Sequence, residues 1–360
     1  MIEPRSLKDP LRYSLDRRSV LMGGVAALTA SSMALQKAFA AETLTVADPG
    51  GAWTPACDDA FVKPFEKETG VSINHIAREH YPSVEIKANV ETKSYTWDAV
   101  IATDADVYEL APQHLLEPLD WSGEDMGQIM EAARKPGWMG QDTYATVICY
   151  RTDKYKDNGP KNWTDFWNVQ RFPGRRAMHK HPIDTLEEAL LADGVPMEKI
   201  YPIDMDRAFK KLDEIKPHVD VWWTGGAQTT QMLQSGEVDI LPTWNARAQI
   251  VIEAGGPVAM SWDQGIYSIE GWVVPKGCPK AELAKRFIKF CANAKRQAEF
   301  VSKLAYGPTN PKAYDYIPKE RAKFLPTAPG NLKLMMQSST DWWGSNKEKA
   351  IERFNAWLLG

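Results

Sequence analysis

The sequence predicts an α/β protein built as two lobes, each a mostly parallel sheet flanked by helices. Three observations carry this. Strand-like apolar runs alternate with helix-length amphipathic segments along nearly the whole chain, the pattern that makes βαβ units and parallel sheets. Beyond an N-terminal export-type segment about 320 residues remain, enough for two domains of ordinary size. No internal repeat or low-complexity linker interrupts them. In such sheets ligands bind off the carboxyl ends of strands. With two lobes, the natural site is the cleft between them.

Residues 1–40 read as an export signal. Arg17 and Arg18 precede a small and apolar stretch from Val20 to about Leu35, which ends in Ala38-Phe39-Ala40. That order is n-region, h-region and cleavage site. The arginine pair with Leu21 resembles a twin-arginine signal, although Asp16 and Val20 depart from that motif. An ordinary secretory signal with a chance arginine pair is the alternative. No cysteine near the cleavage site offers a lipid anchor, and no later segment approaches the ~18 apolar residues of a membrane span. The chain from about Ala41 is expected in the periplasm.

"TLTVADPGGAW" starts the first lobe with an alternating strand and a Pro-Gly-Gly turn. "DDAFVKPFEKETG" follows as a helix with Phe61, Val62 and Phe65 on one face and Gly70 as its stop. "VSINHI" is the next strand, giving a βαβ opening with a right-handed crossover. "YTWDAVIATDADVYELAPQHLLEPLD" repeats the logic, its strand ending at Ala102-Thr103-Asp104. "YATVICYRTDKY" reads as a strand leaving the lobe. The second lobe then runs through "GRRAMHKHPIDTLEEALLADG", the amphipathic "MDRAFKKLDEIKPHV", and "VDVWWTGGAQTTQMLQSGEVDILPTWNARAQ". "VAMSWDQGIYSIEGWVVPKG" reads as two strands, the second returning to the first lobe. "AELAKRFIKFCANAKRQAEFVSK" reads as one long helix, and helical segments close the chain. The expected division is 41–148 with 275–330 in lobe one, and 149–274 with 331–360 in lobe two.

Composition excludes several functions. The formal net charge of −4, with no basic run, carries no nucleic-acid signature. The phosphate-binding and dinucleotide glycine motifs are absent, as is the G-x-S-x-G elbow. His179 and His181 share a strand face, but no third ligand stands at metal spacing, so no metal and no cofactor is expected. Paired carboxylates such as Asp58-Asp59 and Glu187-Glu188 read as solvated helix faces, and none is singled out as an acid–base pair. No catalytic residue is assigned. Of the four cysteines, Cys278 and Cys291 are the pair to check for a disulfide. Most of the 14 tryptophans are expected in the core. "LPTWNARAQI" is different: Trp244 and Arg247 stand three apart in what reads as a strand and the turn after it. Arg247 resists burial unless something negative meets it. Of Trp222 and Trp223, just before Gly225-Gly226, Trp223 is expected to face the cleft.

"GGAW…AFVKPFEKETGVSI", "WDAVIATDADVYELAPQHLLEPLD", "GEVDILPTWNARA", "EGWVVPKG" and "YGPTNPKAYDYI", in that order, resemble the spermidine/putrescine-type solute-binding proteins of ABC importers. The similarity covers nearly the whole chain after the signal. It implies a type II periplasmic binding protein fold, hinge strands between the lobes, closure over a small ligand and delivery to an inner-membrane permease. It implies no catalysis, and a monomer is expected. Carried over by position, the family's binding residues match Trp53 with Thr54 beside it, Thr103 at its strand end with Asp104 adjoining, Trp244, Glu270 as the ammonium acceptor, Tyr306, and Asp184 at a helix start. Ala56, Ala105 and Ser268 stand where the family carries aromatics, and Arg247 where polyamine binders carry something small and uncharged.

A guanidinium in a polyamine cleft would repel the cargo. The expectation is therefore a zwitterion with separated ends, such as γ-aminobutyrate or another ω-amino acid. Arg247 would fork a carboxylate, Glu270 would take the ammonium, and Trp244 and Trp53 would flank the methylenes. Two alternatives remain open: a diamine, with Arg247 turned to a protein carboxylate such as Glu253 or Asp263; or a metal-ion carrier or secreted hydrolase on the same scaffold.

Overall fold

A computed structural model describes residues 43–78 and 82–360. The expected export signal lies outside these residues. Strands β1 (Thr43–Asp48), β2 (Ser72–Ala77) and β3 (Ala99–Thr103) form a parallel set in the order β2-β1-β3. The short β4 (Arg134–Lys135) lies antiparallel to β5 (Trp138–Arg151). A second parallel set joins β6 (Arg176–His179) to β7 (Val219–Trp223) and β8 (Ile240–Trp244). β9 (Val258–Val273) pairs antiparallel with both β3 and β5. β10 (Gly307–Pro308) and β11 (Met335–Gln337) add to β5 and β9. The result is one continuous sheet of order β2-β1-β3-β9-β5-β8-β6-β7, parallel at both wings and antiparallel in the middle.

β5 and β9 are long, 14 and 16 residues, and pair from Trp138↔Val273 to Arg151↔Val258. Register shifts fall between Gly140 and Asp142 and between Thr146 and Ile148. The segment expected as two strands is thus one. Gln264 takes a left-handed φ of 58°, so "DQG" kinks the strand without ending it.

Apolar spacing dictates the packing. Helix Ala281–Cys291 buries Leu283, Ala284, Phe287, Ile288 and Cys291, one face at i, i+3, i+4. The expected long helix stops there. Asn293 accepts hydrogen bonds from the backbone N–H groups of Lys295 and Arg296 and caps a second helix, Ala294–Lys303. One core gathers Phe61, Ile101, Trp138, Trp272, Phe287 and Phe300 around β1, β3 and the inner ends of β5 and β9. Two further clusters pack the other wing, one around Trp163, Leu190 and Phe354, one around Trp223, Leu233 and Leu241. Half of the tryptophans are buried in these cores, and the other half are only partly covered. The four cysteines are buried and free; Cys278 does not pair with Cys291 but sits with its Sγ 3.4 Å from Asp98 Oδ1. No helix among the described residues is long and apolar enough to cross a membrane.

Candidate functional site

The carboxyl ends of β1, β3, β6 and β8 converge on a cavity of about 290 Å³. Its best-defined feature is Arg247. The sequence reading placed it in a turn, but β8 passes directly into helix Asn245–Glu253, so Arg247 sits in the first helical turn. Its guanidinium lies between two glycines. A Cβ on Gly51 would stand 3.2 Å from Nη1, and one on Gly226 would stand 2.6 Å from Nε and 2.9 Å from Trp244 Cε3. Gly51 has φ +62°, the left-handed region where glycine is easiest. Arg247 is 9% exposed, and its Nε has no hydrogen-bond partner among the described residues. Neither Glu253 nor Asp263 pairs with it there; Glu253 instead takes Arg321 and the Gln249 amide. A buried guanidinium with spare donors is costly unless an anion meets it. We expect Gly226→Ala to force Trp244 and Arg247 apart, weakening cargo binding at least about tenfold and costing about 1–3 kcal/mol of stability through overpacking. Titration calorimetry beside a thermal melt checks both halves.

Glu270 is the acidic counterpart in the lining. It is buried, and β9 holds it in register with Thr103 on one side and Asp142 on the other. Burial pushes its carboxyl up to about 7, against the pull of Arg78 and Arg247. Arg78 Nη2 lies 3.9 Å from Glu270 Oε2, and its Nε donates to the Ile101 carbonyl. Sequence reasoning missed Arg78, although it directly follows β2, where the strand-end rule points. Tyr306, Tyr144 and Trp244 form an aromatic arc, with centroids 6.1 Å apart for Tyr144–Tyr306 and 6.2 Å for Tyr144–Trp244. Trp53 lines the cavity as a wall: it is 1% exposed, packs edge-on against Trp272 and Phe300, and donates its indole N–H to Asp142.

Much of the remaining lining is polar. Thr103 caps helix Asp104–Leu110 in a capping box with Asp106. Asp104 accepts from Thr340 at 2.5 Å, and burial raises its carboxyl. Asp184 is also present, accepting from Thr146 at 2.6 Å, with burial raising it to about 6. Its φ of 67° and ψ of −44° are a strained combination for a side-chain-bearing residue, which costs about 1–3 kcal/mol. Ala105, Ser268, His179 and Lys347 also line the cavity; the first two stand at the positions of the lost family aromatics.

Eight of the ten expected residues therefore line the cavity: Trp53, Thr103, Asp104, Asp184, Trp244, Arg247, Glu270 and Tyr306. Two do not. Thr54 turns its hydroxyl to Asp48 at 2.8 Å, steadying the Gly50-Gly51 turn. Trp223 is fully buried; it stacks on His179 at 4.0 Å and meets Trp244 edge-on at 5.7 Å, so it braces the cavity wall from behind. Among the described residues no group of three or more metal-ligating side chains forms.

A family described as bacterial extracellular solute-binding protein matches residues 60–327. The chain belongs to that family. Over 323 residues this solute-binding protein is 34% identical to the γ-aminobutyric acid-binding protein of Pseudomonas aeruginosa, covering 88% of this chain and 91% of the relative. The spermidine/putrescine-binding periplasmic protein of Escherichia coli is 20% identical over 75% of this chain and 79% of its own length. Among solved structures, an ABC transporter substrate-binding protein from Bradyrhizobium japonicum superposes with a TM-score of 0.82 at 38% identity, over 88% of this chain and 99% of that one. A GABA receptor superposes at 0.81 with 32% identity, over 88% and 98%. The solute-binding protein thus keeps the two-lobed importer-type fold the resemblance implied, and its polyamine-binding relatives are the more distant ones.

Proposed function

We propose that this protein captures a zwitterionic ω-amino acid of the γ-aminobutyrate kind in the periplasm and hands it to an ABC permease of the inner membrane, without chemical change. The carrying observation is Arg247, threaded between Gly51 and Gly226 with a spare Nε and no ion pair among the described residues, in the same cavity as buried Glu270. A carboxylate on Arg247 and an ammonium on Glu270 leave neither charge unpaired. Trp244 and Tyr306 give the methylenes an apolar wall. The γ-aminobutyric acid-binding relative and the GABA receptor support the same class. Residues 41–148 with 275–330 would close as one lobe on the remainder, bending β5 and β9, and the protein would act as a monomer.

The test is a thermal-shift panel on residues 41–360 with γ-aminobutyrate, 5-aminovalerate, β-alanine, proline, putrescine, spermidine and ferric citrate. A ligand at 100 times its dissociation constant adds about 2.7 kcal/mol, a plain shift. A shift with ω-amino acids supports the reading. A shift with diamines alone would sink it and make Arg247 scaffolding.

A further inference from the structure

Behind the cavity lining, next to Glu270 and Trp53, is an acid that the ligand-contact reading does not use. Asp142 lies directly beside Glu270 across the β5–β9 ladder, and directly paired residues present their side chains to the same face. Asp142 is wholly buried and Glu270 is 6% exposed. Trp53 Nε1 donates to Asp142 Oδ2 at 3.1 Å, and the same N–H also favours the Glu270 carboxylate. Asp142 Oδ1 has no partner among the described residues. Burial, the Glu270 carboxyl and the Trp53 N–H are the main influences on Asp142. Arg78 Nη2 stands 3.9 Å from Glu270 Oε2. Arg247 is held by the two glycines and acts on Glu270 and Tyr306 at longer range. Asp48 adds a negative charge from below, with His75 Nε2 2.5 Å away and His75 Nδ1 on Asp58. Tyr306 is a neutral phenol, held so by burial.

Two adjacent buried carboxylates with one indole donor cannot both ionise cheaply. Resting on the zwitterion reading above, we propose that Asp142 and Glu270 hold one proton between them in the empty protein, and that the incoming ammonium takes its place. The step balances simply. The ligand enters as R–NH₃⁺, keeps its three protons, and the acid O–H of the pair breaks to release H⁺ to water. Glu270 then faces the ammonium as a carboxylate. Asp142 is a positioning residue: it touches no ligand, but it decides the charge of the group that does. Burial raises both acids, the direction this needs.

The consequence is affinity that climbs with pH although γ-aminobutyrate itself stays zwitterionic. In the wild type, γ-aminobutyrate affinity is expected to rise by about tenfold per pH unit from about pH 5 and to level off above about pH 8. Calorimetry in two buffers of unlike ionisation heat is expected to show about one proton released per ligand near pH 6. Asp142→Asn keeps an acceptor for Trp53 and should flatten the slope while binding at pH 8 survives. It touches neither Asp104 nor Asp184, so a slope due to those would persist. A flat wild-type profile with no proton release, or an unchanged slope in D142N, overturns the proposal. A second readout needs no ligand: buried carboxylic acids, Glu187 and Glu188 included, give infrared carbonyl bands in the empty protein, and one component is expected to be lost in both D142N and E270Q, read from wild-type-minus-variant difference spectra. If D142N does not fold, E270Q carries that arm, and an unaltered spectrum there overturns the idea. Failure of γ-aminobutyrate to bind at any pH counts against the ligand class alone, because the infrared arm still decides the shared proton.

Discussion

Arg247→Ala is expected to weaken γ-aminobutyrate binding by about thirtyfold to several thousandfold. Truncating one partner of a buried, hydrogen-bonded charge pair costs about 2–5 kcal/mol, and each ~1.4 kcal/mol is tenfold in Kd. The empty protein should melt no lower. Its guanidinium makes no ion pair among the described residues and carries a spare Nε, so removing it takes away a desolvated charge rather than a tie. Arg247→Lys restores the charge but not the two-pronged fork, and should fall between. Calorimetry at near-neutral pH measures all three proteins. A loss of less than about fivefold in the alanine variant would mean that the carboxylate sits elsewhere.

The second large effect concerns stability against pH. Glu187 is wholly buried, accepting from Tyr201 and Trp343 through one oxygen, and burial pushes its carboxyl up to about 8. Neighbouring Glu188 has no partner for either oxygen among the described residues, and burial raises it strongly too. A folded-state value above the unfolded ~4.3 means that the native protein binds the proton more tightly than the unfolded chain. That stability is complete below about pH 4 and is lost as pH rises through about 8, at up to ~1.4 kcal/mol per unit. Glu187→Gln keeps both acceptor contacts and cannot ionise. It should match the wild type near pH 5 and exceed it near pH 8 by about 2–4 kcal/mol, read from urea midpoints. Superimposed pH profiles for the two proteins would show that Glu187 is already paired by a cation.

These buried acids also show where reading the chain falls short. "TLEEALLADG" looked like a solvated acidic face, since adjacent glutamates on a helix usually are. Helix Pro182–Ala192 is instead enclosed on nearly every side, by helices Trp163–Trp167, Met205–Ile215 and Thr340–Leu359. No local pattern announces that enclosure. The fold itself was legible because period and punctuation are local: strands ended where glycines and prolines stood, and helices stopped at caps. Arg247 was legible because a charge amid apolar strand-end residues demands a partner, and Glu270 because it stands where the resembling family carries its ammonium acceptor. Trp223 was not, because alternation along a strand says which residues share a face but not which face opens to the cavity. Asp142 was invisible for the same reason: its meaning arises from a cross-strand neighbour 128 positions away, since Glu270 and Asp142 meet only in the ladder.

The continuous sheet has one further result. Because β5 and β9 each run through both wings, each wing is assembled from chain segments that are joined only through the other wing. Cutting the wings apart would sever both long strands in the middle of their ladder. A lineage that trades one wing for another must therefore exchange paired strand segments together, or do so by point substitution. New cargo is far more cheaply reached by changing residues around the cavity, such as Ala105, Ser268 and Arg247, than by shuffling modules.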